Sequence, residues 1–240
     1  MLTIFCYNIN NGKYEEEKMV RSLEAVIFDF DGVIADTVSL YYEATKKVAM
    51  EMGVPFTEED NLRFQGIPRK VLIDELASRG KLSLTEEEKR MLGNKKANYY
   101  KELIADFTDK QTLPGIKDFL MDLKKAGIKM AIASSSSNAP FLLERFRIRE
   151  LFDCIVDPHS LKRGKPDPEI FLTAADCLQV AYQNCAAIED GEAGLKGIRE
   201  TAMFSIGVGK EKYLKNADWH VKETRELKAD CLLKRFQLKD

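Results

Sequence analysis

The chain has 240 residues, 45% hydrophobic and 32% charged, with a formal net charge of −2, a composition that suits a soluble globular protein. The pI of about 5.9 leaves no basic surface for nucleic acid, and no apolar run is long enough to span a bilayer. With only two histidines, His159 and His220, histidine-based metal sites and hydrolase triads lose most of their plausibility. The five cysteines, Cys6, Cys154, Cys177, Cys185 and Cys231, are odd in number and form no Cys-x-x-Cys pair. They predict buried thiols in a reducing cytoplasm, with no zinc site and no disulfide framework.

Residues 1–20 read as an N-terminal extension. The run Met1 to Cys6 is too short for a signal segment and lacks a basic start, and a polar stretch from Asn8 to Lys18 follows. Met19, just before the first strand, is a candidate natural start. The strand Ala25-Val26-Ile27-Phe28 then runs directly into Asp29-Phe30-Asp31-Gly32. Residues 38–112 carry no strand signal and read as four helices, at about 38–52, 58–65, 68–79 and 85–106. Leu40, Ala44, Val48 and Met52 give the first of these an i, i+4 apolar stripe. A helical block after the first strand of an α/β core predicts an inserted second domain, a lid, with hinges near Thr37 and Thr112.

Beyond Pro114-Gly115 the period changes to strict alternation. A helix with the stripe Ile116, Phe119, Leu120, Leu123 precedes a strand over Ile128 to Ala133, and Leu142, Leu143 and Phe146 mark the next helix. Cys154 to Val156 reads as a buried strand, Ile170 to Leu178 as a helix, Ala186 to Ile188 as a strand, Ala193 to Glu200 as a helix and Phe204 to Ile206 as a strand. The fold class predicted is α/β: a Rossmann-like parallel sheet core over 21–37 and 113–240, covered on both faces, with a helical cap over 38–112.

Open α/β sheets bind ligands at the carboxyl ends of their strands. Four such ends carry polar chemistry here: Asp29 and Asp31, the run Ser134 to Ser137, the loop with Lys165, and Glu189-Asp190. Carboxylates at strand ends are costly to desolvate unless a cation or hydrogen bonds meet them, so two clusters point to a hard-cation site built from oxygen ligands. Taken singly, Asp-x-Asp is usually a solvated turn, and a serine run or a Gly-Lys-Pro is usually a loop. Converging at one sheet edge, they offer metal carboxylates, a nucleophilic carboxylate, hydroxyl donors and a lysine, the combination that phosphoryl transfer requires. Gly164-Lys165 is not a phosphate-binding P-loop, because Pro166 stands where that motif has Ser or Thr.

Those four segments resemble the motifs of the haloacid dehalogenase superfamily, in order and spacing, over roughly residues 23–236. The resemblance implies that Asp29 is the nucleophile that becomes an aspartyl phosphate and that Asp31 is the general acid/base. It also implies that Ser134 and Lys165 hold the phosphoryl oxygens. One Mg²⁺ would be held by Asp29, Asp31 through its backbone carbonyl, Asp190 directly, and Glu189 more weakly. Within the superfamily the chain is similar to the β-phosphoglucomutases. Ser134 to Arg145 resembles their phosphate loop and helix, with Ser136 and Asn138 as substrate contacts. In the cap, Gly66-Ile67-Pro68-Arg69 resembles their substrate loop, which places Arg69 on the phosphate that is not being transferred, and Lys96, in Lys95 to Tyr100, resembles their second cap cation. That branch implies interconversion of β-D-glucose 1-phosphate and D-glucose 6-phosphate, with glucose 1,6-bisphosphate as intermediate and activator, in the cytoplasm. A monomer is the default. Where the branch has a histidine in the cap hinge, this chain has Tyr41, bulkier and with a much higher pKa, and Gln65 and Pro68 also depart from the pattern. The alternative reading is a Mg²⁺-dependent phosphatase for a small sugar phosphate, using the same residues. A non-catalytic binding protein would be expected to have lost Asp29, Asp31, Lys165 or Asp190, and all four are present.

Overall fold

The computed structural model describes residues 3–8, 13–18, 21–64 and 67–238, the first two segments as backbone only. Cys6, Met19, Gln65 and Gly66 are therefore outside the described side chains. Within the predicted extension, β1 (Thr3–Asn8) and β2 (Lys13–Lys18) pair antiparallel in a sheet of their own.

The core is a six-stranded, all-parallel sheet. Its strands are β3 (Ala25–Phe28), β4 (Lys129–Ile132), β5 (Cys154–Ile155), β6 (Cys185–Glu189), β7 (Phe204–Val208) and β8 (Trp219–Val221). They lie in the order β5-β4-β3-β6-β7-β8. Starting from β3, the chain builds outward to β4 and β5, then returns to lay β6 on the other side of β3. The order reverses between β3 and β6, the place where an open parallel sheet leaves a crevice at its carboxyl edge.

Side chains alternate between the two faces of each strand. Val26, Phe28, Ile132 and Ile188 point into a cluster with the apolar stripes of α5 (Ile116–Lys125) and α6 (Ala139–Arg145). Ala25, Ala131, Ala133 and Ala187 point to the other face, where small side chains allow α7 (Glu169–Leu178) and its Ala174 and Ala175 to approach closely. The predicted stripe Ile116, Phe119, Leu120, Leu123 is fully buried. Beyond the elements read from the sequence, β8 and a final helix α9 (Ala229–Leu238) close the far edge, with Leu232 and Phe236 in the core.

The helical block is present after β3 as α1 (Val38–Glu51), α2 (Glu58–Arg63), α3 (Arg69–Arg79) and α4 (Glu86–Leu103). Capping boxes start two of them: Thr57 with Asp60, and Thr85 with Glu88. Val48, Leu72, Ile73 and Leu76 form a small core of their own, so the block is a cap domain and not a decoration of the sheet. The two connecting strands run together: Ala35 pairs with Thr112, Asp36 N–H donates to Gln111 O, and Leu113 N–H donates to Ile34 O.

The cysteine expectation is corrected. Cys154 on β5 and Cys177 on α7 form a disulfide with Cα atoms 6.4 Å apart. The 23-residue separation hid it, because the pair is brought together only by the crossover that packs α7 on the sheet. Cys185 is a buried thiol as predicted, whereas Cys231 is exposed. Among the described residues, no helix is long and apolar enough to cross a membrane.

Candidate active site

At the crevice between β3 and β6 the chain places two carboxylates against one buried lysine. Asp29 follows the last residue of β3, and its N–H donates to Ile188 O, which locks the strand end. Lys165, with no exposed side-chain surface, donates to Asp29 Oδ1 at 2.7 Å and to Glu189 Oε1 at 2.6 Å. The other oxygen of Glu189 accepts the N–H groups of Asp190 and Gly191 at 2.9 and 3.2 Å. Glu189 is thereby fastened at both ends.

Asp29, Glu189 and Asp190 bring carboxylate oxygens within 4.8 Å of one another. One ammonium cannot balance them. Burial, then Glu189, pushes the Asp29 pKa up to about 8, with Lys165 opposing. Burial, then Glu189 and Asp29, raises that of Asp190 well above the carboxylate range. For Lys165, burial alone would lower the pKa, but Asp29 and Glu189 raise it above a lysine's usual value. The cluster is short of positive charge, and its donors are all hard oxygens, which fits a divalent cation of the Mg²⁺ type.

Asp31 lies outside that three-carboxylate group. Its Oδ1 accepts a short hydrogen bond from Thr37 Oγ1, in the entering linker. Burial raises its pKa to about 6, against the Thr37 bond and the charges of Lys165 and Lys96. A carboxyl that holds its proton near neutrality suits a general acid/base.

Two glycines make room for these carboxylates. Gly32 has φ +77°, and a Cβ there would come 1.8 Å from Asp190 Oδ2; one on Gly194, in α8 (Glu192–Arg199), would come 1.6 Å from Glu189 Oε1. Sequence reading quoted Gly32 only as part of a motif and missed Gly194. The signal was there: a glycine weakens a helix, so one in its first turn invites a packing explanation. Tyr213 was also missed; its hydroxyl donates to Asp190 O at 3.0 Å and steadies the turn.

A cavity of about 430 Å³ opens above the carboxylates, between core and cap. Ser136 and Asn138 line it from the core; Arg69 and Lys96 line it from the cap. Ser134 is buried, its Oγ accepting the Ser136 N–H at 3.0 Å, so it shapes the serine loop from below. Arg69 Nη1 donates to Gly93 O at 3.2 Å, which ties α3 to α4. Lys96 Nζ sits 4.9 Å above the Tyr41 ring, and Tyr41 stacks on Tyr100 with ring centroids 4.3 Å apart. Burial, then repulsion from Arg69, lowers the Lys96 pKa to about 8. The Tyr41 and Tyr100 hydroxyls are buried; that of Tyr41 faces Asp31, Ser136 and Tyr100. The core reaches the cap directly at Gly164, where a Cβ would strike Pro68 at 2.4 Å.

Residues 26–208 match the haloacid dehalogenase-like hydrolase family. The chain is 42% identical over 212 residues to a β-phosphoglucomutase of Bacillus subtilis (strain 168), covering 88% of this chain and 94% of that protein. It is 33% identical to a phosphorylated carbohydrates phosphatase of Thermotoga maritima, over 77% of this chain and 84% of the other. The crystal structure of a β-phosphoglucomutase from Clostridium difficile matches with a TM-score of 0.87 at 39% identity, covering 90% of this chain and 98% of that one. With the carboxylates, the lysine and the serine loop all at the carboxyl edge of the sheet, the chain belongs to the haloacid dehalogenase-like hydrolase family.

Proposed function

We propose that this chain is a β-phosphoglucomutase, interconverting β-D-glucose 1-phosphate and D-glucose 6-phosphate through glucose 1,6-bisphosphate. The observation that carries the reading is the polarity of the cavity: carboxylates with one lysine at the core end, Arg69 and Lys96 at the cap end. A phosphatase for a monophosphate needs only the first. A mutase must grip a bisphosphate at both ends, and cap cations supply the second grip. The identity to the Bacillus subtilis and Clostridium difficile mutases supports the same choice.

In the proposed reaction Asp29 attacks phosphorus while Asp31 gives its proton to the departing sugar oxygen, so an acyl-phosphate bond forms as the phosphate ester breaks. In the reverse half Asp31 takes the proton of the attacking sugar hydroxyl. Mg²⁺ would be held by Asp29, Asp190 and the backbone carbonyl of Asp31, with Glu189 behind them, and it supplies charge neutralisation for the transferring group. Lys165 holds Asp29 and Glu189 in place and adds positive charge beside the phosphoryl oxygens. The Ser134–Asn138 loop offers hydroxyl, amide and N–H donors to them. Arg69 and Lys96 bind the distal phosphate.

The test is ³¹P NMR of the enzyme with Mg²⁺, a trace of glucose 1,6-bisphosphate and β-glucose 1-phosphate. Glucose 6-phosphate with little free phosphate is the expected result. Inorganic phosphate as the main product would replace the mutase by a sugar-phosphate phosphatase, and Asp29→Asn must abolish either activity.

A further inference from the structure

Beside the apolar packing of Ile104 and Phe107 on the core, the helix that follows the phosphate loop is joined to the base of the cap by a side chain that no catalytic role requires. Ser134 to Asn138 leads straight into α6, and the last residue of that helix is Arg145. Arg145 Nη2 donates to Ala105 O at 2.8 Å and Nε to Phe107 O at 3.0 Å. Both carbonyls belong to the turn that ends α4 and begins the return linker. Ala105 and Phe107 lie just past the end of α4, where no helical N–H answers their carbonyls, and a planar guanidinium can serve two at once where an ammonium serves one direction at a time. The ring of Phe141, one turn back on α6, lies 5.9 Å from the guanidinium and orients it.

What lies at the two ends of this link gives it consequence. Upstream on α4, Lys96 and Tyr100 line the cavity; on the core side, Ser135 to Asn138 line it. Further along the linker, residues 111–113 are already paired with Asp36, Ala35 and Ile34. Ala105 to Phe107 is thus the stretch through which the cap's position is handed to the core, and Arg145 is what holds its carbonyls. We infer that Arg145 is a positioning residue that sets the base of α4 against the phosphate loop, so that Lys96 and Tyr100 meet the sugar phosphate when the cap closes.

The inference rests on the mutase reading for its substrate, and its test separates the two. Arg145→Ala, Arg145→Lys and wild type are compared with β-glucose 1-phosphate and with acetyl phosphate, a small acyl phosphate that does not reach the cap. Arg145→Ala should raise KM for the sugar phosphate about tenfold, the loss of charge-assisted hydrogen bonds at an exposed site, with acetyl phosphate hydrolysis within twofold of wild type. Arg145→Lys should fall between. An unchanged sugar KM, or equal losses on both substrates, would overturn the inference. Failure of wild type to turn over the sugar, with acetyl phosphate hydrolysis intact, would sink the mutase reading alone. The clamp is then decided by hydrogen exchange without substrate: Arg145→Ala must speed exchange at residues 104–108 and into α4, and unchanged protection there rejects it.

Discussion

Replacing Gly194 by alanine sets two effects of opposite sign against each other. In a helix, alanine is favoured over glycine by up to about 1 kcal/mol, less in a first turn. Against that, a Cβ at Gly194 would occupy space 1.6 Å from Glu189 Oε1, and Glu189 is buried with both oxygens engaged. The carboxylate must swing away from Lys165, now 2.6 Å distant, and from the Asp190 and Gly191 amides. Hydrogen bonds to charged groups contribute roughly 1.5–3 kcal/mol each, and a buried charge left unpaired costs more. Losing one bond already outweighs the helix gain; losing two leaves a net destabilisation of about 2–5 kcal/mol. Gly93 in α4 is the control, because a Cβ there meets the Arg69 side chain at an ordinary 3.4 Å. Urea unfolding at pH 7 without Mg²⁺ should therefore show Gly93→Ala slightly more stable than wild type and Gly194→Ala clearly less stable. If Gly194→Ala equals or exceeds wild type, Glu189 is not held against Gly194 by Lys165 and the two amides, and Lys165 does not fix it.

Four further outcomes follow from the same geometry. Asp29 and Asp190 keep protons in the cation-free folded state that the unfolded chain releases near pH 4, so stability falls as pH rises from there toward about 8; Mg²⁺ should raise Tm more at pH 8 than at pH 5.5, and equal shifts would contradict this. The Lys96 ammonium titrates at about 8, so kcat/KM for the sugar phosphate should decline above that pH, and Lys96→Met should raise KM and erase that limb. Opening the Cys154–Cys177 bridge with dithiothreitol should cost about 3 kcal/mol for a loop of 23 residues, whereas Cys177→Ser should already be at the lower value and ignore the reductant. Tyr41→Phe removes a buried hydroxyl that faces Asp31, Ser136 and Tyr100, so stability should fall by about 1 kcal/mol or less; if that hydroxyl also meets the sugar, the ratio of glucose 6-phosphate to free phosphate must fall, and an unchanged ratio would leave Tyr41 without a part in the transfer.

Much of this was readable along the chain because the sheet writes itself locally. Ala25 to Phe28 is apolar on every residue and stops at a carboxylate, and β6 ends the same way at Glu189; burial on both faces of a parallel sheet needs the first, and the catalytic edge supplies the second. The first cap helix was legible from its apolar stripe, whereas the capping boxes at Thr57 and Thr85 were signals that sequence reading left unused. What the sequence did not give away depends on partners distant in the chain. Gly194 matters only because Glu189 folds back over it, Thr37 because the linker returns its hydroxyl to Asp31. The disulfide waits on a crossover, and Trp219 to Val221 is too short a run to announce a strand.

The dimensions of the cavity bear on how a mutase on this fold must work. About 430 Å³ is near the lower end for ligand pockets, which leaves a hexose carrying two phosphates little room to spare. With Asp29, Asp190 and Lys165 fixed at one end and Arg69 and Lys96 at the other, a sugar that has received a phosphoryl group at one hydroxyl cannot turn end over end in place. The cap has to open for the exchange and reclose on the other orientation. On the proposed reading, opening would part Pro68 from Gly164, with the linkers paired at Ala35 and Thr112 as the proposed pivot. While it is open, the aspartyl phosphate is exposed to water, so the balance between transfer and hydrolysis is set by how fast a bisphosphate-bound cap returns to the same place. That makes the residues that fix the cap's return, and not only those that touch phosphorus, the ones that separate a mutase from a phosphatase on a shared set of carboxylates.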